Sequence, residues 1–183
     1  MGCRSNELCF VIKRYKRGGK HKVSMPLLKE SLSQIGFANV SSYINSGNLF
    51  LESEWNDSQI IEAINSLFEK EFDFPIPFLL LSKKKLLKEA QSLPSWWYED
   101  FYRKNVLFFL PSLTSEERDL YVSQIILRSG ENLHIGAHAL FWGIEKEENY
   151  VKSYYHAQFL KNKLYKHVSV RNHKTFQYLV DQK

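Results

Sequence analysis

Residues 18–51 read GGKHKVSMPLLKESLSQIGFANVSSYINSGNLFL and decide the fold of this 183-residue chain. The paired glycines predict a loop, because glycine is costly in regular structure and readily adopts positive φ. Pro26 then suits a first helical turn, and the apolar spacing from Leu28 to Ile35 predicts one amphipathic helix. Gly36 offers the left-handed stop that ends many helices. A loop followed by a helix is therefore expected over residues 18–36.

A hairpin should follow this helix. Residues 40–44 and 49–51 are predicted strands around the turn Asn45–Asn48, since Asn-Ser-Gly-Asn can supply the positive-φ residue that a hairpin needs. An apolar strand at 8–13 precedes the loop, while a capped helix from Asn56 and a strand at 76–81 come after. The resulting order, βαββαβ, favours a ferredoxin-like arrangement whose last strand is at a sheet edge. Pro77 suits an edge, because it lacks a ladder donor.

The second half of the chain repeats this order of elements. The sequence predicts a strand at 105–110, a helix from the capping box Thr114–Glu117 to about 127, and a hairpin of 133–135 with 139–142. A helix at 149–160, a strand at 167–170 and a last helix at 172–180 complete the pattern. We therefore predict an α+β fold of two tandem ferredoxin-like subdomains, with antiparallel-rich sheets and helices packed on one face. Their predicted limits are 1–82 and 105–183, joined by a connecting helix and aromatic segment at 83–104.

Four separated motifs resemble one known family. They are Gly-Gly-Lys-x-Lys-Val-x-Met at 18–25, Tyr43–Asn48, Leu93–Trp97 and Val170–Thr175. From about residue 9 to its C-terminus the chain is similar to the bacterial family catalogued as domain of unknown function 1697. The resemblance implies a duplicated α+β fold and a cytoplasmic protein, and it brings no established activity, cofactor or catalytic residue. The chain departs from the family at Lys13–Arg17, where the family usually has Arg-Gly-Ile-Asn-Val.

Composition narrows the class of protein. No window of about 18 apolar residues is present, which argues against a membrane span. The apolar run near the N-terminus is too short for a secretory signal, so a cytoplasmic location is expected. Neither Cys3 nor Cys9 has a partner at metal-ligand spacing, so we predict no metal and no cofactor, and Cys9 is interpreted as a small core residue. The sequence does not determine an oligomeric state.

Charge is distributed unevenly along the chain. Residues 1–22 carry a net charge of +6, residues 23–150 carry −7, and residues 151–183 carry +6. If the two ends converge in space, they form one basic surface suited to a partner that bears phosphates. The alternative interpretation is that solvated lysines keep the protein soluble.

Two segments are candidate anion sites. The loop Gly18, Gly19, Lys20 and Lys22 could present backbone N–H groups and ammonium groups to phosphate. Its spacing is not that of a P-loop, however, and a plain exposed turn is the favoured interpretation. Residues 161–174 mix cations with aromatic side chains, as nucleic-acid surfaces do and as an ordinary C-terminal helix also can. Within this segment Arg171, Asn172 and Lys174 are the predicted ligand-binding residues, and Arg171 has the planar fork that grips phosphate at two points. Asn172 is also placed to cap the final helix.

Catalytic patterns are weak. His134 and His138 share a predicted hairpin, but no Cys or carboxylate near them in sequence completes a metal set. A Tyr155-His156 pair lacks an identified orienting group, which favours a structural role. Catalytic residues therefore stay unassigned, and whether the protein is an enzyme is left open.

Three functions compete. The first is a non-enzymatic binding module that holds nucleic acid or another polyanion on a basic surface. The second is an enzyme acting on a small phosphorylated or acidic metabolite in a cleft between the subdomains, with Lys20, Arg171 and His156 as candidate residues. The third is a structural or protein-binding module, which predicts a large apolar surface patch.

Overall fold

A computed structural model of the chain describes residues 6–13, 23–44 and 47–182. The chain divides into two compact units, Met1–Lys85 and Leu86–Lys183. The division falls inside the helix that was predicted to connect the subdomains. Each unit contains one four-stranded antiparallel sheet. The predicted α+β class with two similar sheets is confirmed.

The first unit has the order βαββαβ, followed by the start of a third helix. Its elements are β1 (Asn6–Ile12), α1 (Met25–Gln34), β2 (Ala38–Tyr43), β3 (Asn48–Ser53), α2 (Asp57–Glu71) and β4 (Phe78–Ser82). Helix α3 (Lys83–Gln91) begins in this unit and continues into the second. The sheet order is β2-β3-β1-β4, so β1 is central and β4 is at an edge. This is the ferredoxin-like arrangement. Pro77 precedes the edge strand, as the missing N–H donor requires.

The residues that were predicted to begin and end helices in the first unit do so. The side chain of Asn56 accepts a hydrogen bond from Gln59 N at 3.0 Å, and Gln59 Oε1 accepts one from Asn56 N at 3.1 Å, so a capping box begins α2. Gly36 follows α1 with φ of +110°. One core forms where the apolar faces of α1 and α2 cover one face of the sheet. Cys9 is buried in β1, as expected for a core residue.

The second unit repeats the sheet with a different set of helices. Its elements are β5 (Arg103–Phe109), α4 (Ser115–Ser123), β6 (Glu131–Ile135), β7 (Ala139–Ile144), α5 (Glu147–Tyr150), α6 (Tyr154–Ala157), β8 (Val168–Asn172) and α7 (His173–Asp181). The order β6-β7-β5-β8 matches that of the first sheet. Short 3₁₀ helices occur at Ser95–Tyr98, Phe159–Lys161 and Lys163–His167.

Helices cover both faces of the second sheet. Tyr121 of α4 shares a core with Leu107 and Leu140. Phe176 of α7 instead contacts Phe141, at a centroid distance of 5.2 Å. Since successive residues of a strand point to opposite faces, α7 lies on the face opposite α4. The C-terminal helix is therefore an addition to the ferredoxin-like pattern.

The predicted helix at 149–160 is wrong. The chain forms two short helices and 3₁₀ turns there, because Ser153 starts a new helix by accepting a hydrogen bond from His156 N at 3.1 Å. Glu131 adds a second cause from across the unit, since its carboxylate accepts the N–H groups of Tyr154 and Tyr155. Those N–H groups cannot then bond to carbonyls in a preceding turn, so a continuous helix is interrupted.

Candidate functional site

The two predicted anion-binding segments differ in what the structure reveals. Gly18, Gly19, Lys20 and Lys22 lie outside the described residues, so their role stays a prediction. The remaining candidates, Arg171, Asn172 and Lys174, lie where β8 ends and α7 begins. We call residues 171–174 the β8–α7 junction.

Arg171 is buried, with 3% of the residue exposed. Its Nη1 donates to Ser169 Oγ at 3.0 Å and to Val170 O at 2.8 Å. A buried charge needs such partners, because it has lost its hydration. Two hydrogen bonds thus tie the guanidinium of Arg171 to the chain itself, which makes the residue an internal anchor of the β8–α7 junction.

Asn172 caps the final helix, as the sequence predicted. Its side-chain oxygen accepts a hydrogen bond from Thr175 N at 2.8 Å. This satisfies one of the N–H groups that a helix leaves unpaired at its start. The cap holds the first turn of α7 in place, with the exposed Lys174 on it.

The pKa of His173 responds to positive charge near this junction. Burial lowers the pKa of its imidazole below the ordinary value of 6.5, and the nearby charges of Lys104 and Lys174 lower that pKa further. Both effects disfavour the protonated ring. Two ammonium groups therefore act electrostatically on the start of a helix whose dipole is also positive there.

Lys104 is a contributor that the sequence analysis missed. It is 8% exposed, and its Nζ donates to Trp97 O at 2.8 Å and to Glu99 O at 2.6 Å. The same ammonium lies 5.8 Å from the ring centroids of Trp97 and Phe101. Burial lowers the pKa of Lys104. The available signal was a lysine at the start of an apolar strand, where it must find acceptors.

A second group of lysines precedes β8. Lys161 lies in one short 3₁₀ helix, Lys163 and Lys166 lie in the next, and all three side chains are exposed. Asn162 anchors this segment by donating to Tyr121 O at 3.0 Å and accepting from Leu164 N at 2.8 Å. β8 has five residues and a strand rises about 3.3 Å per residue, so a strand about 13 Å long lies between these lysines and Lys174. The predicted segment 161–174 therefore carries two groups of charge.

The histidines proved less isolated than the sequence indicated. Glu89 of α3 bonds to the Nδ1 of His138 at 2.8 Å, so a carboxylate does reach this hairpin. Within the described residues, however, no three His, Cys, Asp or Glu side chains are grouped to hold a metal ion. His156 is exposed, and its ring lies 4.9 Å from that of Tyr150. Nothing in these contacts gives His156 a substrate-binding partner.

The described part of the chain contains no helix that is both long and apolar enough to span a membrane.

Comparison with known proteins places the chain in a family. A model of the family described as protein of unknown function DUF1697 matches residues 16–141. A conserved bacterial protein, SP0830 from Streptococcus pneumoniae, has a similar solved structure, with a TM-score of 0.91 and 34% sequence identity. The match covers 97% of this chain and 98% of that protein. No curated protein matches the sequence. The chain therefore belongs to the DUF1697 family, whose function is unknown.

Proposed function

We propose that this protein is a binding module for nucleic acid or another polyanion, with the exposed lysines of residues 161–174 as the binding surface. The observation that carries the proposal is the exposure of four lysines, Lys161, Lys163, Lys166 and Lys174, in a segment that contains no Asp or Glu. Concentrated positive charge of this kind attracts phosphates and raises their rate of association. A cytoplasmic location is part of the proposal, because nucleic acids are available there.

The spacing of the lysines supports an extended anion over a small one. Lys161 and Lys163 precede β8 and Lys174 follows it, and the strand between them is about 13 Å long. A nucleic-acid strand carries a charge about every 3.4 Å, so one strand of a few nucleotides spans this distance.

The lysines are also available for a ligand. Lys161, Lys163 and Lys174 are exposed, and in the described part of the chain none of them forms an ion pair. Residues 161–174 contain no Asp or Glu. Tyr98 of the aromatic segment is exposed and offers a face on which a base can stack.

The test is fluorescence anisotropy with labelled single-stranded RNA over a range of salt concentrations. The variant Lys161→Ala/Lys163→Ala/Lys174→Ala should weaken binding and make the slope of log affinity against log salt less steep by about 2, since each lost contact contributes about 0.7. The control is Lys146→Ala, which removes an exposed lysine beside Glu145 and Glu147.

No RNA binding by the wild type at low salt would contradict the nucleic-acid form of this proposal, and heparin in the same assay tests another polyanion. A small phosphorylated metabolite is the competing ligand. Thermal stabilisation by such a compound, without RNA or heparin binding, would favour the enzyme interpretation instead. An equal loss of affinity in the control and the triple variant would mean that binding depends only on total charge.

A further inference from the structure

Two buried glutamates in the second unit are satisfied very differently. Glu131 accepts four hydrogen bonds, two on each carboxylate oxygen. Glu89 is 2% exposed, yet both of its donors, the backbone N and the ring Nδ1 of His138, bond to Oε1. Among the described residues, Glu89 Oε2 is buried without a hydrogen-bond partner. A structural carboxylate is expected to resemble Glu131, because a buried unpaired oxygen is costly.

The hairpin between β6 and β7 is shaped around this carboxylate. A Cβ atom on Gly136 would lie 2.0 Å from Glu89 Oε2, so only glycine allows the carboxylate to occupy this position. Gly136 N also donates to Ala139 O at 2.8 Å, which closes the turn. The buried position of Glu89 therefore depends on the residue type at the turn.

Glu89 determines the state of the His138 ring. Because a carboxylate only accepts hydrogen bonds, the proton of the neutral ring is on Nδ1 and the lone pair is on Nε2. The backbone bond from His138 N, at 2.7 Å, fixes the same residue a second time. About a third of the His138 side chain is exposed, so solvent reaches the ring. An oriented imidazole with an accessible lone pair is the arrangement of a general base.

The unpaired oxygen has an electrostatic consequence. Both donors bond to Oε1, so no hydrogen bond compensates the charge on Oε2. Because Oε2 is also buried from water, that charge acts strongly on its surroundings. If His138 accepts a proton at Nε2, the ring becomes the cation of an ion pair whose Nδ1 to Oε1 distance is 2.8 Å. A carboxylate in this position stabilises an imidazolium as it forms. Nearby His134 Nε2 is a further buried atom without a partner among the described residues.

We propose that Glu89 and His138 form a proton-transfer pair for a substrate with a hydroxyl group, or a bound water, that must lose its proton. His138 Nε2 takes the proton, and the oxygen keeps the electron pair of the broken O–H bond. That oxygen then attacks an electrophilic carbon, and His138 returns the proton to the leaving group or to solvent. Glu89 is a positioning residue. This inference is independent of polyanion binding, because it uses none of the basic residues.

The probe is p-nitrophenyl acetate, whose hydrolysis releases a coloured product. Water gives its proton to His138, the hydroxide adds to the acetyl carbon, and p-nitrophenolate leaves with the electrons of the ester bond. His138→Gln should lower the protein-dependent rate by about 100-fold, a typical contribution of a general base. Glu89→Gln keeps an acceptor for both His138 bonds but removes the charge, and it should lower the rate by about 10-fold. The control Glu145→Gln removes the charge of an exposed glutamate outside this pair and should leave the rate unchanged.

Two further readouts separate proton transfer from a structural role. Long-range ¹⁵N NMR of the wild type should show His138 protonated at Nδ1 and free at Nε2, and hydrolysis should be slower in D₂O. The opposite tautomer would overturn the proposal, and so would a wild-type hydrolysis rate that His138→Gln does not change. These measurements remain decisive if Glu89→Gln proves unstable, because neither requires that variant.

Discussion

Replacing Glu131 with Gln tests whether the second unit is held together by one buried carboxylate. Glu131 Oε1 accepts from Trp142 Nε1 at 2.8 Å and from Tyr155 N at 3.2 Å, while Oε2 accepts from Arg128 N and Tyr154 N, both at 2.8 Å. The four donors come from β7, from α6 and from the turn before β6. Glutamine has nearly the same shape but only one accepting oxygen.

The expected loss of stability in Glu131→Gln follows from those four hydrogen bonds. In either orientation the glutamine amide turns its NH₂ group toward two of the four donors, which lose their acceptor. A hydrogen bond to a charged group contributes about 1.5 to 3 kcal/mol, so two lost bonds amount to about 3 to 6 kcal/mol. Removing a buried charge offsets part of this loss. We expect Glu131→Gln to lower the free energy of unfolding by about 3 kcal/mol.

Urea denaturation followed by far-UV circular dichroism measures this change. The matched control is Glu145→Gln, because Glu145 is exposed and accepts from Asn132 Nδ2 at 3.3 Å. That variant should change stability by less than about 0.5 kcal/mol. Should Glu131→Gln cost no more than its control, the carboxylate would not organise the short helices that follow β7.

Two further predictions concern the β8–α7 junction. Lys104→Met removes one of the charges that lower the pKa of His173, so that pKa should rise toward 6.5 in an NMR titration, and an unchanged value would contradict the assigned cause. The pKa of His173 is lower in the folded protein than in the unfolded protein, so the neutral ring contributes to stability. That contribution is complete above about pH 6.5 and is lost as the pH falls through the pKa of the folded protein. Lys104→Met should reduce this loss of stability. Asn172→Ala removes the cap of α7 and should lower the free energy of unfolding by about 1 kcal/mol, measured by thermal denaturation, whereas Asn172→Asp should retain most of it.

Much of the fold could be predicted from short stretches of sequence. The capping boxes at Asn56 and Thr114 start helices where the residue types indicated, and Asn172 caps the last helix. The duplicated βαββ order and the edge position of β4 were also correct. These features depend on residues within a few positions of one another, or on rules of strand connection that hold for any chain.

The candidate site was predicted less completely. Sequence analysis placed a cap at Asn172, but it treated Arg171 as a surface group, whereas the residue is buried. It missed Lys104, whose acceptors are backbone carbonyls that any residue type could supply. It also predicted one helix at 149–160, because the apolar spacing gave no sign that Glu131 would interrupt it.

The sequence by itself determined the order of the elements, their caps and the uneven distribution of charge, because these depend on neighbouring residues and on composition. Only the tertiary structure decided which buried polar groups meet. Glu89 and His138 are 49 residues apart, and Glu131 and Tyr154 are 23 apart. Such pairs form only when packing of the whole unit excludes water and leaves each buried charge with the donors that happen to surround it.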